Sequence, residues 1–113
     1  MSQYNIAMNK NNTILISVKG KKIHFNEQNE FTLNKMIGRY IQRKRRNYGL
    51  TGNELARLIG VSQQQISRYE GGVTNITLPR LLVIINKLNV DIETFIIEFI
   101  SIIEQFYEVT NQR

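Results

Sequence analysis

The stretch LTGNELARLIGVSQQQISRYEGG, residues 50–72, decides the fold. Thr51-Gly52-Asn53-Glu54 is a capping box: the Thr oxygen accepts from the first helical turn, and the Glu three residues on reaches back to the Thr backbone. It opens a short helix over about 52–59, for which Gly60 is a stop suited to positive φ. After Gly60-Val61 a second box, Ser62-Gln63-Gln64-Gln65, opens another helix. That helix begins with three consecutive amide side chains, and neither capping nor propensity requires three.

Two capped helices separated by a tight Gly-containing turn are the sequence form of a helix-turn-helix. Ala56 suits close approach of the two helices, and Val61 and Ile66 are apolar where they meet. Upstream, Thr32 is placed to cap a first helix whose Leu33, Met36, Ile37, Tyr40 and Ile41 fall at i, i+3, i+4, i+7 and i+8, predicting a buried face. This helix ends in Arg43-Lys44-Arg45-Arg46, with Gly49 as its stop. Downstream, a Thr77 cap with Pro79 in the first turn starts a fourth helix through Leu81, Leu82, Ile84, Ile85 and Leu88. A fifth starts near an Asp91 cap and runs to about Tyr107 or Val109.

Residues 1–31 read as an N-terminal extension. Ile14, Ile16 and Val18 alternate with the period of a strand, and the Lys19-Gly20-Lys21 break before Lys22-Ile23-His24-Phe25 reads as a β-hairpin. The expected organisation is therefore an extension over 1–31, a helix-turn-helix core over 32–90 and a C-terminal helix over 91–113, expected to dimerise. A chain of 113 residues is one domain by size.

Lys and Arg exceed Asp and Glu by six, and the pI is about 9.8, so an acidic partner is expected, nucleic acid first and anionic membrane second. The charge is uneven. Residues 32–60 carry seven basic residues against the single Glu54, whereas after Asn89 five acids stand against Arg113 alone. With no cysteine there is no disulfide framework, thiolate metal site or cysteine nucleophile. The first residues lack the layout of a signal peptide and no apolar run approaches a membrane span, so a soluble, cytoplasmic protein is expected. His24 is the single histidine, no Gly-rich phosphate loop follows a strand, and no cluster has metal-ligand spacing. Neither a catalytic site nor a metal, cofactor or small-molecule ligand is expected.

Residues 50–91 resemble the helix-turn-helix of the XRE, or Cro and phage-repressor, family: E-L-A in the second helix, the G-V-S turn, Q-x-x-I-S in the third, the E-x-G exit and the L-x-x-I closing helix. Within it, SQQQISRYE is similar to the signature of MrpJ-type regulators, which are encoded with fimbrial operons and reduce flagellar motility. One departure is Ile76, where many members have Pro; here the Pro stands at position 79. The resemblance implies a mainly α, lambda-repressor-like five-helix bundle. It also implies that the third helix enters the major groove of double-stranded DNA.

Gln63 and Gln64 match base-reading positions, and a Gln amide pairs bidentately with adenine. Arg68, on the same face, suits guanine; Ser67 fits either a base contact or a structural role, and Gln65 is expected to serve as capping partner of Ser62. For phosphate the candidates are Arg43, Lys44, Arg45, Arg46, Thr51, Gly52 and Asn75. Four consecutive helical cations point about 100° apart, so two of them are expected on phosphate. Tyr69 reads as core, and Glu70 as holding the helix exit or pairing with an Arg such as Arg57.

The fifth helix carries two apolar stripes, Ile92, Phe95, Phe99, Ile102, Phe106, Val109 and Ile96, Ile100, Ile103, Tyr107. One closes its own bundle; an exposed second one calls for a partner, simplest as a homodimer through Phe95, Phe99, Ile102, Ile103, Phe106 and Tyr107. A two-fold dimer matches a palindromic operator. The leading functional expectation is a homodimeric transcriptional repressor, with the DNA-binding antitoxin of a toxin–antitoxin module as the alternative.

Overall fold

The computed structural model describes residues 4–8, 14–18 and 21–111, with side chains described over 25–106. It contains strands β1 (Tyr4–Met8), β2 (Ile14–Val18) and β3 (Lys21–Phe25), a 3-10 turn (Glu27–Asn29), and helices α1 (Glu30–Asn47), α2 (Gly52–Ile59), α3 (Gln63–Glu70), α4 (Leu78–Lys87) and α5 (Ile92–Asn111). The chain is mainly helical. Where its length predicts one domain, its contacts divide it into two units, Met1–Glu30 with Glu98–Arg113 and Phe31–Ile97. The division falls inside α5, not ahead of it at residues 90 and 91.

In the first unit the strands form an antiparallel sheet in the order β1-β2-β3. β2 faces β3 with Ile16 opposite Ile23, and β1 faces β2 with Ile6 opposite Ile16. β1 is an addition to the expected hairpin. Its Tyr4, Ile6, Met8 alternation has the strand period, but the asparagines around it suggest a loop. The side chain of His24 lies outside the described residues. Phe25, Ile100 and Ile103 are the buried apolar residues described in this unit.

The second unit holds α1 to α4 and the start of α5. Thr32 does not cap α1: Asn26 opens the 3-10 turn instead, its Oδ1 accepting from Gln28 N–H at 3.0 Å, and α1 begins at Glu30. The core is Tyr40 and Ile41 from α1, Leu55, Ala56 and Ile59 from α2, Ile66 from α3, and Leu81, Ile84, Ile85 and Leu88 from and just after α4. Each large side chain buried in this way contributes about 1.5–3 kcal/mol before the entropy of ordering it is subtracted. Leu33, Met36 and Ile37 are half-buried. Thr77 Oγ1 accepts from Arg80 N–H at 3.3 Å and Asp91 Oδ1 from Thr94 N–H at 2.7 Å, so α4 and α5 start at the caps the sequence predicts.

At one point α1 and the end of α3 approach each other closely. At Gly38 a Cβ would stand 2.5 Å from the carbonyl oxygens of both Tyr69 and Glu70, so only glycine lets α1 come this close to the end of α3. Seven residues on, Arg45 turns inward and makes a two-bond fork with the Glu70 carboxylate, Nε to Oε2 at 2.6 Å and Nη2 to Oε1 at 3.0 Å. Its Nη1 donates to Leu50 O at 2.8 Å. Both side chains are nearly enclosed, 11% and 7% exposed. The hydrogen bond to Glu70 raises the guanidinium pKa further, against the opposing effect of burial, so Arg45 stays charged.

Removing one partner of a buried pair leaves the other charged and unpaired. Arg45→Ala or Glu70→Ala is therefore expected to lose about 3–5 kcal/mol in urea denaturation. An Arg45→Met, Glu70→Leu double variant is expected to lose clearly less than the two single losses added.

Candidate nucleic-acid interface

The cap of α2 forms in both halves. Glu54 N–H donates to Thr51 Oγ1 at 3.1 Å, and Thr51 N–H donates to Glu54 Oε1 at 2.9 Å. The bond from the Thr51 N–H first, and then the Thr51 hydroxyl, hold the Glu54 carboxyl below its ordinary pKa, and Arg57 three residues on adds a smaller pull in the same direction. α2 stops at Gly60, at φ +73°, and Val61 N–H closes back onto Ala56 O at 3.0 Å. Arg80 Nη1 donates to Ile59 O at 3.1 Å, placing a cation on the negative end of α2. Two residues later Ser62 Oγ accepts from Gln65 N–H at 3.1 Å, and α3 begins. The Ser62 half of the second box is present; the closed, two-bond form is that of Thr51 and Glu54.

On α3, Ile66 is 2% exposed and anchors the helix to the core. Gln63, Gln64, Ser67 and Arg68, the four candidates for base contact, are all exposed. Tyr69 and Glu70 are half-buried toward α1. The start of α2 lies beside the start of α3: a Cβ on Gly52 would be 3.9 Å from Gln63 Cγ and from Ile66 Cγ2. The start of α2 at Gly52 thus stands next to the first glutamine.

The phosphate candidates separate. Arg43 and Arg46 are exposed, as are Thr51 and Asn75, and Gly52 is half-exposed. Arg45 does not belong with them, because its inward helical phase commits all three guanidinium nitrogens to Glu70 and Leu50. The same bonds correct the expectation for Glu70, whose partner is Arg45 and not Arg57. Lys44 is half-buried with its Nζ 5.6 Å from the centre of the Tyr40 ring, a cation–π contact within its own helix. Asn75 accepts from Asn34 Nδ2, which ties the loop after α3 to α1.

The set predicted for dimerisation also changes. Ile103 is 3% exposed and belongs to the interior, and Phe95 sets its ring edge-on against Tyr40 with centroids 5.2 Å apart. Phe99 and Ile102 are half-buried, Phe106 is 41% exposed, and the side chain of Tyr107 lies outside the described residues. Sequence reasoning missed Arg80 as the cation that closes α2, and Arg45 as a structural ion. The signal for Arg45 was available: it shares the inward helix face with Gly38 and Ile41.

Residues 41–95 match the model of the family described as helix-turn-helix. The match covers just under half of the chain, and over this stretch the chain is similar to that family. It resembles Antitoxin PezA from Streptococcus pneumoniae, 38% identical over 55 residues, which are 49% of this chain and 35% of that protein. The match thus spans about a third of that relative's length. Among solved structures, the clp gene regulator ClgR from Corynebacterium glutamicum superposes with a TM-score of 0.64 over 71% of this chain and 85% of that one, at 21% identity. The restriction-modification controller protein C.Esp1396I, solved as a tetramer with its natural 35 base-pair operator, superposes at 0.57 over 61% and 91%, at 26% identity. Among the described residues no helix is long and apolar enough to cross a membrane.

Because the folded-state pKa of Glu54 is lowered, its stabilising contribution is present above the ordinary Glu range and is lost as pH falls through the folded-state value. Acidifying from about pH 6 to about pH 3 should therefore lower the Tm. Glu54→Gln should remove part of that pH dependence, a difference that melting curves of the two proteins across the range will show.

Proposed function

We propose that this chain is a sequence-specific DNA-binding regulator of transcription, acting as a homodimer, in which α3 reads bases in the major groove and α1 and the start of α2 hold phosphate. One observation carries the reading. A two-turn helix buries a single residue, Ile66, and is fixed by a cap at one end and an ion pair at the other, while Gln63, Gln64, Ser67 and Arg68 all face solvent. A surface this polar and this firmly held suits hydrogen bonding to base edges, where amides pair with adenine and guanidinium with guanine. The position of Gly52 beside Gln63 supports a phosphate contact next to the base contacts.

A second copy would cover Phe99, Ile102 and Phe106 on α5, giving the two-fold symmetry that suits half-sites about 34 Å apart. The regulatory theme of lowering motility while fimbriae are made rests on the similarity of SQQQISRYE to MrpJ-type proteins. A second reading, the DNA-binding antitoxin of a toxin–antitoxin pair, is favoured by the similarity to Antitoxin PezA. The matched 55 residues fall short of the whole of either protein, so the two readings share the DNA-binding domain and differ in what the rest of the chain binds. Copurification of a small second protein in stoichiometric amount would favour the antitoxin; a stable homodimer of the pure chain would favour the first reading.

Selection from random duplexes at fixed moderate salt should enrich a palindrome with half-sites one helical turn apart. Gln64→Ala should relax one base pair in each half-site by about 1–3 kcal/mol of discrimination. If wild type enriched no motif, α3 would not be a reader.

A further inference from the structure

The sheet of the first unit has two edges, and the sequence treats them differently. Among the described residues no strand pairs with the outer side of β1 or of β3. β3 carries Lys21 and Lys22, the kind of charge that keeps a free edge from pairing with another chain. β1, Tyr4-Asn5-Ile6-Ala7-Met8, has no charge and no proline, and its five residues pair one for one with β2, so no bulge turns the strand away. Five residues are also an ordinary strand length, enough for pairing on both sides. Native sheets guard the edges they leave open, so an unguarded edge points to a covering strand.

We infer that a second copy of the chain supplies that strand: β1 pairs antiparallel with the partner's β1 about a two-fold axis at Ile6, joining two sheets into one of six strands. The inference rests on the homodimer reading above and names its seam. Register supports it. In such a pairing Tyr4 stands opposite the partner's Met8 and Asn5 opposite the partner's Ala7, so uncharged residues meet at all five positions. Ile6, which is opposite Ile16 and through it in register with Ile23, meets the partner's Ile6, and one row of isoleucines crosses the whole sheet. Closure supports it as well. Pairing β1 with the partner's β3 would be heterologous, would leave a free β1 and a free β3 at every step, and would run on into an open polymer. β1 against β1 closes after two copies and leaves outermost the two edges that carry lysine. The far half of α5, with Phe99, Ile102 and Phe106, belongs to the same unit as the sheet, so one seam can draw on both.

Because the chain has no cysteine, disulfide cross-linking of the full chain tests the register directly. Residues opposite each other on antiparallel strands have Cα atoms about 4.5–5.5 Å apart, within disulfide reach, whereas the two copies of Tyr4, or of Met8, would be about 13 Å apart. Under mild oxidation Ile6→Cys should therefore cross-link to itself. Tyr4→Cys and Met8→Cys should cross-link poorly alone and well when mixed, and Lys22→Cys on the other edge should not cross-link. Ala7→Lys, which gives β1 the guard that β3 has, should shift the dimer to monomer in analytical ultracentrifugation while keeping the wild-type circular dichroism. A wild-type dimer whose Ile6→Cys form did not cross-link would overturn the seam and leave the α5 dimer of the reading above standing. Equal cross-linking of Lys22→Cys, or cross-linking of Ile6→Cys to a different, copurifying protein, would also overturn it. A monomeric wild type would overturn the seam and the homodimer alike, and a motif still enriched from random duplexes would then leave the reading of bases by α3 intact.

Discussion

Everything that α3 presents depends on the Arg45–Glu70 fork. Eight residues make two turns, far short of the length at which a helix persists by itself in water. Its direction must therefore be imposed. Ser62 fixes the first turn, Ile66 fixes the middle, and Glu70, held by two bonds from Arg45, fixes the end. The third bond of Arg45, to Leu50 O, joins the same ion to the turn before α2. One guanidinium thus references the exit of α3, the end of α1 and the entry to α2 to a common point. An apolar pair of similar volume would fill the space, but without directional bonds it would leave the rotation of α3 less determined.

The same constraint explains why cations of one type end in different roles. Along α1, inward phase takes Arg45 to Glu70, and a half-buried phase lays Lys44 over Tyr40. The outward phase leaves Arg39, Arg43 and Arg46 in water. On α4, Arg80 is used up at the end of α2. Net charge identifies a basic helix; helical phase decides which of its charges another molecule meets. Glycine at position 38 belongs to the same logic, because without a side chain there α1 can approach close enough for the Arg45 side chain to reach Glu70.

Much of this was legible in sequence because it is local. The Thr51 and Ser62 caps, the Gly60 stop, the Thr77 and Asp91 caps and the buried Ile66 all follow from interactions within about four residues. The exposed glutamines follow from the same frame. Non-local partners were not legible. Arg45 and Glu70 are 25 residues apart, and Arg57 was as reasonable a partner on spacing alone. Thr32 has the right chemistry for a cap, but the 3-10 turn opened by Asn26 brings the chain into α1 three residues earlier, at Glu30. β1 was hidden because strands are stabilised by their neighbours, and YNIAM has no pairing signal until β2 lies beside it.

α5 shows where a periodic signal stops being informative. Its two apolar stripes adjoin each other, so periodicity alone cannot say which of them closes the interior. Burial of Ile100 and Ile103 assigns that role to the second stripe, and Phe95 adds its edge to Tyr40. Among the described residues of α5, Phe99 and Ile102 remain at the surface in part, and Ile92, Ile97 and Phe106 more fully. A second copy covering Phe99, Ile102 and Phe106 would bury part of the first stripe. The acids Glu98 and Glu104 lie on the same stretch of α5, half-buried. Self-association through this stretch would have to accommodate two partly buried carboxylates, which suits a small apolar centre with a polar rim rather than a continuous apolar seam.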